Sequence, residues 1–181
     1  MIDRFHATLL DVMKNAQALG VDGRRERLQP VMDETYDFAT MAKRSLGPGW
    51  GKLDDAQHAR FEQVFRSLIL RTYATRFNGY AGERFETRGA EPSIAGTEIV
   101  RSVLHTSKED VHLDYRMRTT PQGWRVIDVY LGGTVSELAL RRAEYTAVLE
   151  REGFDALVVA LESKAAEGPA DVPASSDSLL K

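Results

Sequence analysis

At 181 residues, with 43% hydrophobic and 28% charged side chains, the chain can bury roughly two-thirds of its unfolded surface in one core, which excludes a disordered tract or a bundle of spanning helices. Its 24 basic and 27 acidic residues are spread along the sequence for a net charge of -3, so there is no electrostatic footprint for nucleic acid. The absence of cysteine removes disulfides, thiol catalysis and thiolate zinc sites, and the longest apolar run, Ala156 to Leu161, is far shorter than the ~20 residues of a membrane span.

The first residues, Met1-Ile2-Asp3-Arg4-Phe5, enter a helical pattern directly, with no apolar leader segment. That leaves a cytosolic protein or one whose signal peptide has been removed. From Ile2 to Leu19, Ile2, Phe5, Leu9, Val12 and Ala16 recur at three- and four-residue spacing, which predicts an amphipathic helix ended by Gly20. A second helix is expected over Arg24 to Tyr36, with Leu28, Val31 and Met32 inward, and a third over Phe38 to Leu46, stopped by Gly47-Pro48-Gly49. Asp54 stands three residues before Gln57, a capping-box arrangement. The helix it opens, Asp55 to Phe77, carries Phe61, Phe65, Leu68, Thr72 and Phe77 on one face and would run about 34 Å.

After Gly82 the period changes from 3.6 to 2. Four antiparallel strands are expected, Arg84 to Arg88, Glu98 to His105, Val111 to Arg118 and Trp124 to Tyr130, joined by connections too short for a parallel crossover. If His105 faces His112, then Val100, Ser102 and Leu104 share an apolar face with Leu113, Tyr115 and Met117, while Arg101, Asp114 and Arg116 share the other. Gly132-Gly133 turns the chain into two further helices, Val135 to Glu152 and Phe154 to Ala166. Together these predict an α+β fold, a four-stranded antiparallel sheet against about six helices, in one domain over residues 1–166, with a flexible tail over 167–181.

Polar chemistry is sparse. His105 and His112 form a cross-strand pair if they face each other, but zinc would need a third ligand and outer partners, and such pairs are more often solvated. Asp128 stands in the apolar run Val126-Ile127-Asp128-Val129, where a charge is costly unless paired or hydrogen-bonded. If Thr119 faces Trp124, Asp128 shares the apolar face with Tyr115 and Met117, and a one-residue shift turns it away. A pocket enzyme using Asp128 as general base is one reading; the other is a carboxylate that fixes a turn or an arginine. There is no Ser/His/Asp order of an esterase, no Gly-rich phosphate loop and no His-Glu-x-x-His.

Four segments resemble the MlaC family, also called the toluene-tolerance auxiliary family. They are Phe38-Ala39-Thr40-Met41-Ala42-Lys43-Arg44-Ser45-Leu46-Gly47 with Trp50; Gln57, Phe61, Phe65, Leu68 and Tyr73; Asp114-Tyr115-Arg116 with Gly123-Trp124-Arg125-Val126-Ile127-Asp128-Val129; and Val135-Ser136 with Arg142, Glu144, Tyr145 and Gly153-Phe154-Asp155-Ala156-Leu157. Gly133-Thr134-Val135-Ser136-Glu137-Leu138-Ala139 looks most like the hopanoid-associated HpnM branch.

The resemblance implies a periplasmic lipid carrier of an ABC-transport-linked system, exported by a signal peptide absent from this sequence. It would shuttle a phospholipid or hopanoid between an inner-membrane substrate-binding subunit and an outer-membrane partner, with no cofactor and no catalysis. A hydrophobic cavity would then lie between the sheet and the helices Asp55 to Phe77 and Val135 to Glu152, with its mouth near Trp50 or the double glycine. Its expected lining is Phe38, Met41 and Trp50 from the third helix and its loop, and Phe61, Phe65, Leu68 and Tyr73 from the long helix. The sheet would add Leu104, Leu113, Tyr115, Met117 and Val129, and the next helix Leu140, Tyr145 and Leu149. An aromatic stripe at helical spacing is more often core than ligand site, and a protein-binding accessory subunit is the third reading.

Overall fold

The computed structural model describes residues 1–167. The chain runs α1 (Ile2–Lys14), α2 (Ala16–Thr35), α3 (Phe38–Leu46) and α4 (Asp55–Arg76), then β1 (Arg84–Pro92), β2 (Glu98–His105), β3 (Asp110–Thr120), β4 (Gly123–Leu131) and β5 (Val135–Ser136), and ends with α5 (Glu137–Glu152) and α6 (Phe154–Glu167). Glu167, the first residue of the expected tail, closes α6, and the rest of that tail lies outside the described residues.

The first helical break falls at Asn15 rather than Gly20. Asn15 donates its side-chain amide back to the Asp11 carbonyl at 2.9 Å, which satisfies an acceptor at the end of α1. Gly20, at φ 60° and ψ -176°, instead kinks α2 from within, a conformation that costs a residue with a Cβ. Arg24, buried just after the kink, donates to the carbonyls of Ala16 and Ala74, each at 2.6 Å, and so ties both sides of the bend to the end of α4. α4 opens with the expected capping box: the Gln57 amide donates to Asp54 at 2.8 Å and the Asp54 amide to Gln57 at 3.0 Å.

The sheet is an antiparallel meander in the order β1-β2-β3-β4-β5, five strands rather than the four expected. The fifth is two residues long, too short for any period to register: after the turn at Gly132 and Gly133, Ser136 and Val135 pair back onto Tyr130 and Leu131. β2 and β3 pair with Val103 opposite His112 and His105 opposite Asp110, two residues away from the pairing of the two histidines. Because side chains alternate with a period of 2, this slip leaves the faces unchanged. Leu104, Leu113, Tyr115 and Met117 are buried against the helices, while Arg101 and Asp114 form a 2.6 Å ion pair on the opposite face.

β4 departs from regular pairing. Thr119 does face Trp124 and Met117 faces Val126, but Arg116 then faces Asp128, so Ile127 is an extra residue in the ladder. This β-bulge supplies the one-residue shift that turns Asp128 away from the face of Tyr115 and Met117.

The core gathers around Phe5 of α1, whose ring meets Tyr36, Tyr73 and Tyr115 edge-on at centroid distances of 5.4, 5.7 and 6.1 Å. Such pairs contribute about 0.5–1.5 kcal/mol each beyond their area burial. His6 lies beside them, stacked on Phe85 at 4.2 Å and sharing a 3.0 Å hydrogen bond through Nε2 with the Tyr115 hydroxyl. Burial pulls its pKa from 6.5 down to about 4, with Asp3 opposing weakly. The buried ring is therefore neutral at pH 7. Below pH 6.5 the unfolded chain gains a proton that the folded chain refuses until about pH 4, so stability falls with pH across that window. We expect wild type to lose about 3 kcal/mol of unfolding free energy from this site between pH 7 and pH 4. Denaturant titrations of wild type and His6→Phe at both pH values check this; parallel losses in the two proteins would remove the assignment.

Candidate functional site

Between the inner face of the sheet and helices α4 and α5 lies a pocket of about 50 Å³. Ile69, Thr72, Tyr73, Arg76 and Phe77 come from α4 or its end, Glu137, Leu138 and Arg141 from α5, Leu113, Val129 and Leu131 from the sheet, and Tyr36 and Met41 from the α2–α3 corner. The walls are chiefly apolar, but the volume is far below the ~300–1,000 Å³ of ordinary small-molecule pockets. The pocket at this seam is thus much smaller than the lipid-sized cavity the sequence led us to expect there, because side chains of α4, α5 and the sheet fill most of that space. A larger cleft of about 1200 Å³ lies elsewhere, between the α1–α2 junction and the residues around Tyr80 and Ser107. It is open and substantially polar, with Lys14, Asn15, Asn78 and Glu83 in its walls.

The polar groups of the apolar pocket cluster around Tyr73. Its hydroxyl shares a 2.7 Å hydrogen bond with that of Tyr36. Burial pushes the Tyr73 pKa up to about 12, the hydrogen bond from Tyr36 pulls against it, Glu137 adds to the rise, and Arg76 and Arg141 lower it. Tyr36 is raised well above its ordinary value, first by burial and then by Tyr73. Both phenols stay protonated at any physiological pH.

Asp128 lies outside this pocket. The bulge aims it at the start of α5, where its carboxylate accepts from the Val129 amide at 2.9 Å, the Ser136 hydroxyl at 2.7 Å and the Leu138 amide at 3.3 Å. Ser136 in turn caps the helix by accepting from the Ala139 amide at 3.0 Å. With three donors on a buried carboxylate and no access to the pocket, this geometry fits a helix-fixing role and gives a general base no route to a substrate. The histidines do not pair: His105 lies between Asp110 at 2.6 Å and Glu86 at 2.7 Å, and His112 is exposed opposite Val103. No group of three or more His, Asp or Glu side chains able to hold a metal occurs among the described residues.

Of the fifteen residues expected to line a lipid cavity, Met41, Tyr73, Leu113 and Val129 line the pocket. Phe38, Phe61, Phe65, Leu68, Leu104, Tyr115, Met117 and Tyr145 are buried in the surrounding core, and Leu149 packs on it. Trp50 also packs at its edge, stacked on His58 at 4.0 Å, away from the pocket. Leu140 points outward, 57% exposed, because the inward stripe of α5 runs through Leu138, Arg141 and Tyr145. That i, i+3, i+7 spacing was the available sign that Arg141 belongs to the site; Tyr36, Glu137 and Arg76 carried none.

The sequence model of the MlaC protein family matches residues 3–163. The chain belongs to the MlaC family. No curated protein matches it. A solved structure similar to this MlaC-family chain is that of a phospholipid-binding protein from Ralstonia solanacearum in complex with a phospholipid. The two are 22% identical and superpose with a TM-score of 0.79 over 91% of this chain and 94% of the other, so they share a fold. Among the described residues of this MlaC-family member, no helix is long and apolar enough to cross a membrane.

Asp128→Ala removes three hydrogen bonds to a buried charge and frees the start of α5. It should cost about 2 kcal/mol of stability and strip the Leu138 and Ala139 amides of hydrogen-exchange protection. An unchanged melting temperature with full protection would show that the latch contributes nothing.

Proposed function

We propose that this chain is a lipid carrier whose cargo enters between the sheet and helices α4 and α5. The observation that carries this reading is the match to the MlaC family over residues 3–163, and the apolar pocket at that seam supports it. The phospholipid-bound neighbour of the same fold supports a phospholipid as the cargo class. In this reading the protein works in the periplasm, passing a phospholipid or hopanoid between an inner-membrane substrate-binding subunit and an outer-membrane partner of an ABC transport system. The Gly-Thr-Val-Ser-Glu-Leu-Ala segment at 133–139 favours the HpnM branch.

Cargo and cavity must be created together. Burying a methylene is worth roughly 0.8 kcal/mol, so a sixteen-carbon chain supplies of order 10 kcal/mol to separate side chains that otherwise pack on one another. The lining proposed for the opened state combines Met41, Tyr73, Leu113 and Val129, already at the pocket, with Phe38, Phe61, Phe65, Leu68, Leu104, Tyr115, Met117 and Tyr145 behind them.

The narrowness of the pocket favours a second reading, an accessory subunit that binds protein partners only. One experiment separates them. The carrier reading expects about one lipid per protein when the purified protein is extracted with organic solvent and analysed by mass spectrometry, and lipid uptake from vesicles after delipidation. No lipid in either arm leaves the accessory reading.

A further inference from the structure

We propose that the pocket between α4 and α5 selects an amphiphile bearing a single oxyanion, a phosphodiester or carboxylate, with its chain among the apolar walls and its charge on Arg141 and Arg76. The inference rests on the carrier reading above and narrows it, because a neutral polycyclic lipid has nothing to offer these two guanidinium groups.

Arg141 is the main observation. It projects from the second turn of α5 into an apolar pocket, and its side chain is only 17% exposed. Burying a guanidinium is expensive unless its donors are met. Here they are poorly met: one N–H donates to the Tyr145 hydroxyl at 3.2 Å, the nearest carboxylate, Glu137, is 3.9 Å from Nη2, and the buried Nε has no partner. Burial opposes the charge, but Tyr145, Glu137 and Glu144 outweigh it, so Arg141 remains cationic. A largely buried, permanently charged side chain with an unused donor is set up to receive an acceptor from outside.

Arg76, in the last turn of α4, is the second cation in the walls, and among the described residues it makes no hydrogen bond or ion pair. Arg76 and Arg141 both line the pocket and both lower the pKa of the Tyr73 hydroxyl, so each lies within electrostatic reach of that group. Glu137 is the third charged group there. Two cations and one carboxylate leave one uncompensated positive charge, which matches a monoanion such as a phosphodiester. Guanidinium forks bind such oxyanions through charge-assisted hydrogen bonds, roughly twice as strong as neutral ones. In a pocket with apolar walls that attraction is screened less than at the surface.

The test loads delipidated protein from neutral vesicles doped with one of four fluorescent probes of matched chain length: a phosphatidylglycerol, a phosphatidylethanolamine, a fatty acid, and a diacylglycerol that lacks the phosphate. Wild type should bind the three oxyanion probes about tenfold or more tightly than diacylglycerol. Arg141→Gln and Arg76→Gln should each remove most of that preference and leave diacylglycerol affinity within about twofold. Arg141→Lys, which keeps the charge and loses the fork, should recover part of it. Thermal melts identify any variant that fails to fold, and Arg76→Gln, at the partly exposed site, is the variant expected to retain full stability.

Equal affinity of wild type for all four probes, unmoved by either substitution, overturns the anion site while the carrier reading stands. Binding of none of them also overturns the anion site, and the solvent extraction described above then decides whether a carrier of neutral polycyclic lipid stands. Displacement of bound phospholipid by millimolar inorganic phosphate, in wild type and not in Arg141→Gln, supports the oxyanion site. Tight binding of inorganic phosphate that phospholipid does not compete for overturns the lipid as the source of the anion.

Discussion

The geometry of the candidate site depends on where one carboxylate points. Asp128 sits in a strand whose neighbours are all apolar, and regular pairing would drive it into the core beside Tyr115 and Met117. The extra residue Ile127 turns it instead to the sheet edge, where it accepts from the Ser136 hydroxyl and the Leu138 amide and pins the first turn of α5. The position of that turn in turn sets Glu137, Leu138 and Arg141 over the pocket. A bulge usually re-aims a side chain or ends a pairing; here it does the first, and the result is a helix anchored at one end to the strand it covers.

The narrowness of the pocket has an energetic reason. An unfilled apolar void costs about 24 cal/mol per Å³, so the present pocket carries a penalty near 1 kcal/mol, whereas an empty space of about 500 Å³ would cost ~12 kcal/mol, comparable to the whole stability of a domain. A dry apolar space of that size would be costly to hold open, which accounts for side chains closing on one another at this seam. The seam between α4 and α5 suits this, since each helix is held mainly by other neighbours: α4 by α2, α3 and α6, and α5 by α3, α6 and β4.

Much of this was legible in the residues. The spacing of Ile2, Phe5, Leu9 and Val12 marked α1, the Asp54–Gln57 pair marked the start of α4, and alternation in Leu113, Tyr115 and Met117 marked the buried face of β3. What escaped notice had physical reasons. Gly20 signalled a stop but only bends the helix, because Arg24, beyond the kink, donates to the Ala16 carbonyl before it and to the Ala74 carbonyl of α4, contacts that no local pattern shows. The two-residue slip that separates His105 from His112 leaves every face intact and so is silent in periodicity. The bulge at Ile127 involves no glycine or proline. Cavity size depends on how side chains from four elements interlock, and that information is not carried by any one segment.

The two edges of the sheet are treated differently. β5, beside β4, is too short to template anything, and it leads at once into α5. β1 is nine residues long and largely exposed, the kind of edge onto which a foreign strand can add. It carries Arg84, Glu86, Arg88 and Glu91, breaks register between Thr87 and Gly89, and ends on Pro92, which has no amide hydrogen to donate. Charge, irregular pairing and a missing donor all discourage self-assembly into extended β-structure. Any opening of the seam between sheet and helices would expose the apolar inner face, and an edge that resists strand addition limits what such an opened molecule can stick to.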